Sequence, residues 1–283
     1  MTLPALLLLS ATWPVEHPMA MEKNLPLIEI QVDGGEKILF MLDSAAAGCV
    51  IDTARAAALG LAVQADGMSS GSGGTQKVGV RGAVRLTLGR IEVRPPQCVT
   101  FDIRALKFKG PVEGILGLPL FREYVVELDY PGSRVRLFPP RVFQPPARAQ
   151  AIPIRMTIGP VVRGTISAGG GDPIETDMQL DTGSAQMLTF CTPFVDRHKL
   201  LDAARDTAEG RTLGLGGATA DITGRIDEVR VGAAAVKDPL VRFARQSVGS
   251  FATERHYSAN LGGEFFKRYR VTIDVSGGRL FLE

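Results

Sequence analysis

Gly114-Ile-Leu-Gly-Leu-Pro-Leu-Phe-Arg-Glu-Tyr-Val-Val-Glu-Leu-Asp-Tyr130 lies without a gap over Ala259-Asn-Leu-Gly-Gly-Glu-Phe-Phe-Lys-Arg-Tyr-Arg-Val-Thr-Ile-Asp-Val275. Leu116, Gly117, Phe121, Tyr124, Val126 and Asp129 recur 145 positions later as Leu261, Gly262, Phe266, Tyr269, Val271 and Asp274. Self-similarity at a fixed offset marks a duplicated structural unit, so the repeat fixes the architecture before any single motif is weighed.

The copies extend upstream. Ser72-Gly-Gly-Thr75 matches Leu215-Gly-Gly-Ala218 143 positions on, and Val84-Arg-Leu-Thr-Leu-Gly89 lies over Asp227-Glu-Val-Arg-Val-Gly232 at the same offset. Each half opens with an alternating hairpin. Ile28-Glu-Ile-Gln-Val32 turns at Asp33-Gly34-Gly35 and returns over residues 38–42, while Val162-Arg-Gly-Thr-Ile166 turns around Gly169 to Pro173 and returns over residues 174–180. Each return strand delivers an aspartate: Asp43-Ser44-Ala45-Ala46 in the first copy, Asp181-Thr182-Gly183-Ser184 in the second, 138 positions apart. The offset then grows through an insertion after the second Asp, where residues 192–205 read as a helix. Helical signal is otherwise limited to residues 53–59 and short turns after Gly117 and Gly262. The fold class expected is all-β, with two similar lobes about a pseudo-twofold axis. Pro139, Pro140, Pro145, Pro146 and Pro153 make a stiff connector between the copies. The organisation read from this is an N-terminal segment 1–24, a first lobe 25–138, a linker 139–153 and a second lobe 154–283.

Composition agrees with a globular chain: 45% of the 283 residues are hydrophobic and 22% charged. With a net charge of +2 and no basic run or interleaved aromatic patch, nucleic acid is a poor partner. Cys49, Cys98 and Cys191 are widely spaced, without a CxxC pair, and each reads as a buried small hydrophobe. His17, His198 and His256 show no HExxH spacing, so neither a metal nor another cofactor is expected. Residues 3–9 form a short apolar run that reads equally as the core of a secretory leader lacking its basic start or as a frayed terminus. The compartment therefore stays open, with the periplasm or the exterior as one alternative. No stretch elsewhere is long enough to span a bilayer.

A duplicated fold that brings the same strand end from each half to its axis sets Asp43 beside Asp181. Two carboxylates so close cannot both ionise easily, so they share one proton and hold an acid and a base at once. Hydrolysis of an amide by activated water needs that pair. In these features the chain resembles the retropepsin-like aspartic peptidases, in a bacterial-type single-chain form, over residues 25–283. The resemblance implies that each lobe carries an Asp-Thr/Ser-Gly loop, a Gly-rich flap, and an apolar-apolar-Gly segment behind the Asp loop. Here these are Asp43-Ser44, a flap with Gly71, Gly73 and Gly74, and Ile115-Leu116-Gly117; then Asp181-Thr182-Gly183, a flap with Gly214, Gly216 and Gly217, and Leu261-Gly262. It further implies that Ser44 and Thr182 hydrogen-bond across the axis. Two positions depart from the pattern: Ala45 stands where Gly is usual, and Asn260 where an apolar residue is usual.

Each feature also has a plainer reading. A lone Asp-Thr-Gly is ordinary turn chemistry, and flap glycines can be hairpin turns. Asp129 and Asp274 repeat as faithfully as the pair Asp43 and Asp181, but sit in alternating strands where an outward polar residue is expected, so both are structural. Gly67-Met-Ser-Ser-Gly71 fits the G-x-S-x-G elbow without its strand-turn-helix context and is a chance match. The expected function is an aspartic endopeptidase acting on extended polypeptide as a monomer. Its rival is a peptide-binding module whose loop geometry Ala45 has spoiled; a weaker third is a precursor awaiting N-terminal trimming.

Overall fold

The computed structural model describes residues 13–283. The apolar run at the start of the chain lies outside them. No described helix is long and apolar enough to cross a membrane.

The two halves build their sheets in one order. In the first, Ala65–Gly71 and Gly74–Gly82 lead to Gln97–Phe101, Cys49–Asp52, Val112–Leu116, Lys37–Leu42, Leu25–Val32, Leu86–Leu88 and Ile91–Val93. In the second, Arg205–Gly214 and Gly217–Arg225 lead to Leu240–Ala244, Leu188–Phe190, Ala259–Leu261, Ile174–Leu180, Pro160–Ser167, Glu228–Val231 and Ala234–Lys237. Directions agree too: Val112–Leu116 runs parallel to Lys37–Leu42, as Ala259–Leu261 does to Ile174–Leu180. The fold is all-β, in two similar lobes.

A central sheet joins them, in the order Val15–Pro18, Arg134–Phe138, Val125–Asp129, Arg270–Asp274, Arg279–Leu282, Ile152–Met156. Its middle ladder locates the axis. Glu127 faces Thr272, its own counterpart in the repeat, while Val126 faces Ile273 and Leu128 faces Val271, the same pairing with the halves exchanged. Both strands are buried, apart from Arg270 at the start of the second. Asp129 and Asp274 are therefore not outward-facing, contrary to the alternation argument: they are 8% and 2% exposed. Each is structural, its Oδ1 accepting from the N–H of Gly132 at 2.9 Å and of Gly277 at 2.7 Å respectively. Arg136 and Arg270 lie beside Asp129, and Arg279 beside Asp274.

One continuous apolar core runs through both lobes. Phe121 and Phe266, repeat counterparts, are fully enclosed in it, and burying a phenylalanine side chain contributes about 1.5–3 kcal/mol. The segment read as one helix over 192–205 is two, Thr192–His198 and Leu200–Ala203, because Lys199 takes a left-handed φ of 49° and ends the first; Arg205 already begins a strand. The single-hydrophobe reading of the cysteines needs correction at two of three. Cys49 and Cys98 face each other on neighbouring parallel strands and form a disulfide. Strand pairing, not sequence spacing, brings them together across 49 residues. Cys191 is free and buried.

That cross-link constrains the unfolded chain. Reduction, or the double change Cys49→Ala with Cys98→Ala, is expected to lower stability by about 2–4 kcal/mol, read from denaturant midpoints with and without reductant. Identical midpoints would mean that the disulfide holds nothing the surrounding ladder does not already hold.

Candidate active site

Each Asp loop is hung from the strand beside it. The Asp43 N–H donates to the Leu116 carbonyl at 3.0 Å, and the Asp181 N–H to the Leu261 carbonyl at 2.9 Å. The chain then turns, Ala46 N–H bonding the Asp43 carbonyl and Ser184 N–H the Asp181 carbonyl, both at 3.2 Å. The Leu-Gly segments pass directly behind: a Cβ on Gly117 would collide with the Ala46 backbone, and one on Gly262 with the Gln186 carbonyl. Glycine is required there by close approach.

Ser44 and Thr182 meet across the axis in a reciprocal set of four bonds. The Ser44 N–H donates to Thr182 Oγ1 at 2.9 Å, and the Thr182 N–H to Ser44 Oγ at 3.1 Å. Each hydroxyl then donates onward, Ser44 Oγ to the Leu180 carbonyl at 2.7 Å and Thr182 Oγ1 to the Leu42 carbonyl at 2.8 Å. Both residues are fully buried. The two loops are thereby locked to one another, and the carboxyls of Asp43 and Asp181 lie close enough to act on each other's ionisation.

Around that contact the two carboxyls are held differently. Asp43 Oδ1 accepts from the N–H groups of Ala45 at 2.9 Å and Ala46 at 3.0 Å. At Asp181 the N–H groups of Gly183 and Ser184 lie near the carboxyl and favour its ionised form, and Asn260 Nδ2 donates to its Oδ2 at 2.6 Å. Both residues keep some solvent exposure, yet their carboxyl groups are enclosed by protein. Burial raises both above the ordinary carboxylate value; Asp181 goes well above it, because the charge of Asp43 adds to the burial. The pair therefore retains one proton where isolated carboxylates would have lost theirs.

The flap hairpins meet tip to tip. The Gly73 N–H donates to the Leu215 carbonyl at 2.8 Å, and the Gly216 N–H to Gln76 Oε1 at 3.2 Å. Gly71 packs on Leu215, whose Cβ would lie 2.6 Å from one added there, and Gly214 packs on the Ser72 side chain. Side chains at Gly73 or Gly216 would run into the opposite tip, and Gly74 and Gly217 take φ of 124° and 122°, which disfavours other residues. The six flap glycines thus lie together at one junction. Residues 67–71, the G-x-S-x-G match, are part of a flap strand and form no elbow.

Several contributors escaped the sequence argument. Asn260 appeared only as a departure from the pattern, although an Asn one strand away from an Asp loop could have been tried as its partner. Gln246 contacts the Thr219 hydroxyl at 2.8 Å and, with its amide turned to satisfy both ends, donates to the carbonyls of Ser72 at 2.9 Å and Val248 at 3.0 Å, tying the first flap tip to the second lobe. Asn24 donates to the Ala185 carbonyl at 3.2 Å and to Glu264 at 2.9 Å, so the N-terminal segment braces the second Asp loop.

Residues 28–120 match a protein family described as aspartyl protease. The match covers Asp43, the first flap and Ile115-Leu116-Gly117, and it supports a peptidase of the aspartic type. No curated protein matches the chain.

Proposed function

We propose that this protein is an aspartic endopeptidase that cleaves extended polypeptide with Asp43 and Asp181 as its catalytic pair. The observation that carries this is the pair itself: two enclosed, mutually interacting carboxyls on loops joined by the reciprocal Ser44–Thr182 bonds, under flaps that meet tip to tip. The ionised member takes a proton from a water molecule, whose oxygen attacks the peptide carbonyl carbon. The protonated member gives its proton to the carbonyl oxygen, forming a gem-diol. Proton transfer to the nitrogen then breaks the C–N bond, releasing an acid and an amine and returning one proton to the pair. The flaps open for the substrate, then close to exclude water and lend backbone groups to its extended chain.

Both aspartates come from one chain, which supports a monomer. We assign residues 25–138 and 154–283 as the lobes, with 139–153 as connector. The Cys49–Cys98 bond supports residence in an oxidising compartment, the periplasm or the exterior. Trimming within residues 13–24 would remove the strand Val15–Pro18 from the central sheet, so that segment is not read as a removable inhibitor.

The test is a diverse peptide mixture incubated from acid to neutral pH, with and without a hydroxyl-bearing transition-state mimic. Cleavage blocked by the mimic supports the reading; intact peptides at every pH would sink it.

Ala45 carried the rival reading of a non-cleaving peptide binder. Its φ is not left-handed, and its N–H still bonds Asp43, so the loop accepts alanine without backbone strain. Ala45→Gly is expected to leave turnover within the same order of magnitude and to cost about 0.4–1 kcal/mol of stability through unfolded-state entropy. Turnover appearing only in the glycine variant would instead make the natural protein a binder. Gly183→Ala is the harsher change, since its Cβ would collide with the Asp43 carboxyl.

A further inference from the structure

The strand ladders allow the two walls flanking the carboxyl pair to be compared position by position. In the first lobe Ile115 pairs with Met41 and with Val50, and Val50 pairs with Val99. In the second, Asn260 pairs with Gln179 and with Thr189, and Thr189 pairs with Arg242. On the flap strands Val78 corresponds to Asp221, 143 positions on. Five apolar residues of one lobe are thus replaced by five polar ones in the other.

The apolar set lies in one cluster with Ala46 of its own Asp loop and with Ala185 and Leu215 of the second lobe's Asp loop and flap tip. That cluster is separate from the main core and sits beside the pair, beneath the flaps. Across the axis, Gln179, Thr189, Asp221 and Asn260 are between 3% and 6% exposed. Burying such groups is costly unless they are bonded, and the first lobe folds with apolar residues at the same places, so the polarity is not a requirement of the fold. Arg242 Nη1 donates to both oxygens of Asp221, at 2.7 and 2.8 Å, and its Nε to Gln186 at 2.9 Å. Asn260 spends Nδ2 on Asp181, and its buried Oδ1 has no partner among the described residues.

We infer that the cleft is chemically two-sided: it takes peptides with a bulky apolar side chain on the first lobe's side of the scissile bond and an uncharged hydrogen-bond donor, Asn, Gln, Ser or Thr, on the second lobe's side. This rests on the peptidase reading above for the position of the scissile bond. The Arg242–Asp221 pair cancels its own charge, which leaves no uncompensated partner for an acidic or basic side chain. The Asn260 Oδ1 asks for an N–H or O–H, which a carboxylate does not have. A site built to hydrogen-bond a substrate group rejects the analogue without it more strongly than an apolar pocket rejects a missing methylene.

The experiment uses one peptide scaffold with Leu paired with Gln, Leu, Glu or Lys across the scissile bond, in both orders. Each is made as the amide and as a non-cleavable hydroxyethylene isostere. In one order, Leu with Gln is expected to exceed Leu with Leu, Glu or Lys by about tenfold or more, in kcat/KM for amides and in affinity for isosteres. Asn260→Ile combined with Thr189→Val should turn that preference toward Leu with Leu; if this variant does not fold, the wild-type ranking alone decides. Equal or better handling of Leu with Leu by the wild type overturns the inference. Isosteres ranked as expected while no amide is cut would overturn the peptidase reading and leave the two-sided cleft standing. Cleavage without donor preference does the reverse, and neither binding nor cleavage sinks both.

Discussion

Asp43→Asn and Asp181→Asn are each expected to lower peptide hydrolysis by roughly 10²–10⁴-fold, the range for loss of a positioned acid or base. An amide keeps the shape and can still accept from the loop N–H groups, but it cannot exchange the proton that the pair passes to and from substrate. Asp172→Asn, on an exposed loop, is the control. Asp129→Asn is unsuited to that role, because Asp129 is buried among Arg136, Arg270 and the Gly132 N–H. Full activity in either correctly folded variant would remove the mechanism.

The same variants carry a stability signature of opposite sign. Both carboxyls have folded-state pKa values above their ordinary 3.8, so above that pH the folded protein binds more protons than the unfolded chain. Their contribution to stability is thus most favourable below about pH 3.8 and is lost as pH rises through the folded-state values. Asp181→Asn, which cannot ionise, escapes that loss. It is expected to be more stable than wild type at neutral pH and to converge with it in acid, as read from denaturant midpoints across pH. Activity itself should occupy the window in which the pair holds one proton.

What the sequence discloses and what it withholds have physical reasons. The repeat, both hairpins, the Asp loops and the Leu-Gly segments are visible because each depends on local rules: alternation for half-buried strands, and glycine where backbones nearly touch. The central sheet defeats the alternation rule. Val125–Asp129 and residues 271–274 are covered on both faces, so Asp129 and Asp274 could not be placed from a period of two. Cys49 and Cys98 meet through strand order, which no spacing encodes. Asn260 is the instructive case, because its residue type broke the expected pattern and yet only the ladder shows that the break faces Asp181. A residue that violates a local rule inside an otherwise consistent repeat is where function is to be sought.

Thr182→Val should be among the most damaging single changes in the molecule. Valine keeps the shape of threonine, so packing is preserved while the hydroxyl is lost. Two buried backbone groups then lose their partners, the Ser44 N–H and the Leu42 carbonyl, which the hydroxyl meets at 2.9 and 2.8 Å. An unsatisfied buried group costs about 1–3 kcal/mol, so the change should cost about 2–6 kcal/mol, a large part of the 5–15 kcal/mol typical of a whole domain. Ser44→Ala orphans the Leu180 carbonyl and the Thr182 N–H and should cost a similar amount, because the bond set is symmetric about the axis. Thr182→Ser retains the hydroxyl and loses one methyl, about 1 kcal/mol. Denaturant unfolding measures all three. Hydrolysis by the folded fraction should fall along with stability in Thr182→Val and Ser44→Ala, since the loops those bonds unite are the ones that hold Asp43 and Asp181 together. If Thr182→Val were as stable and active as Thr182→Ser, the cross-axis bonds would not be what positions the pair, and the mutual contact of the carboxyls would need another support.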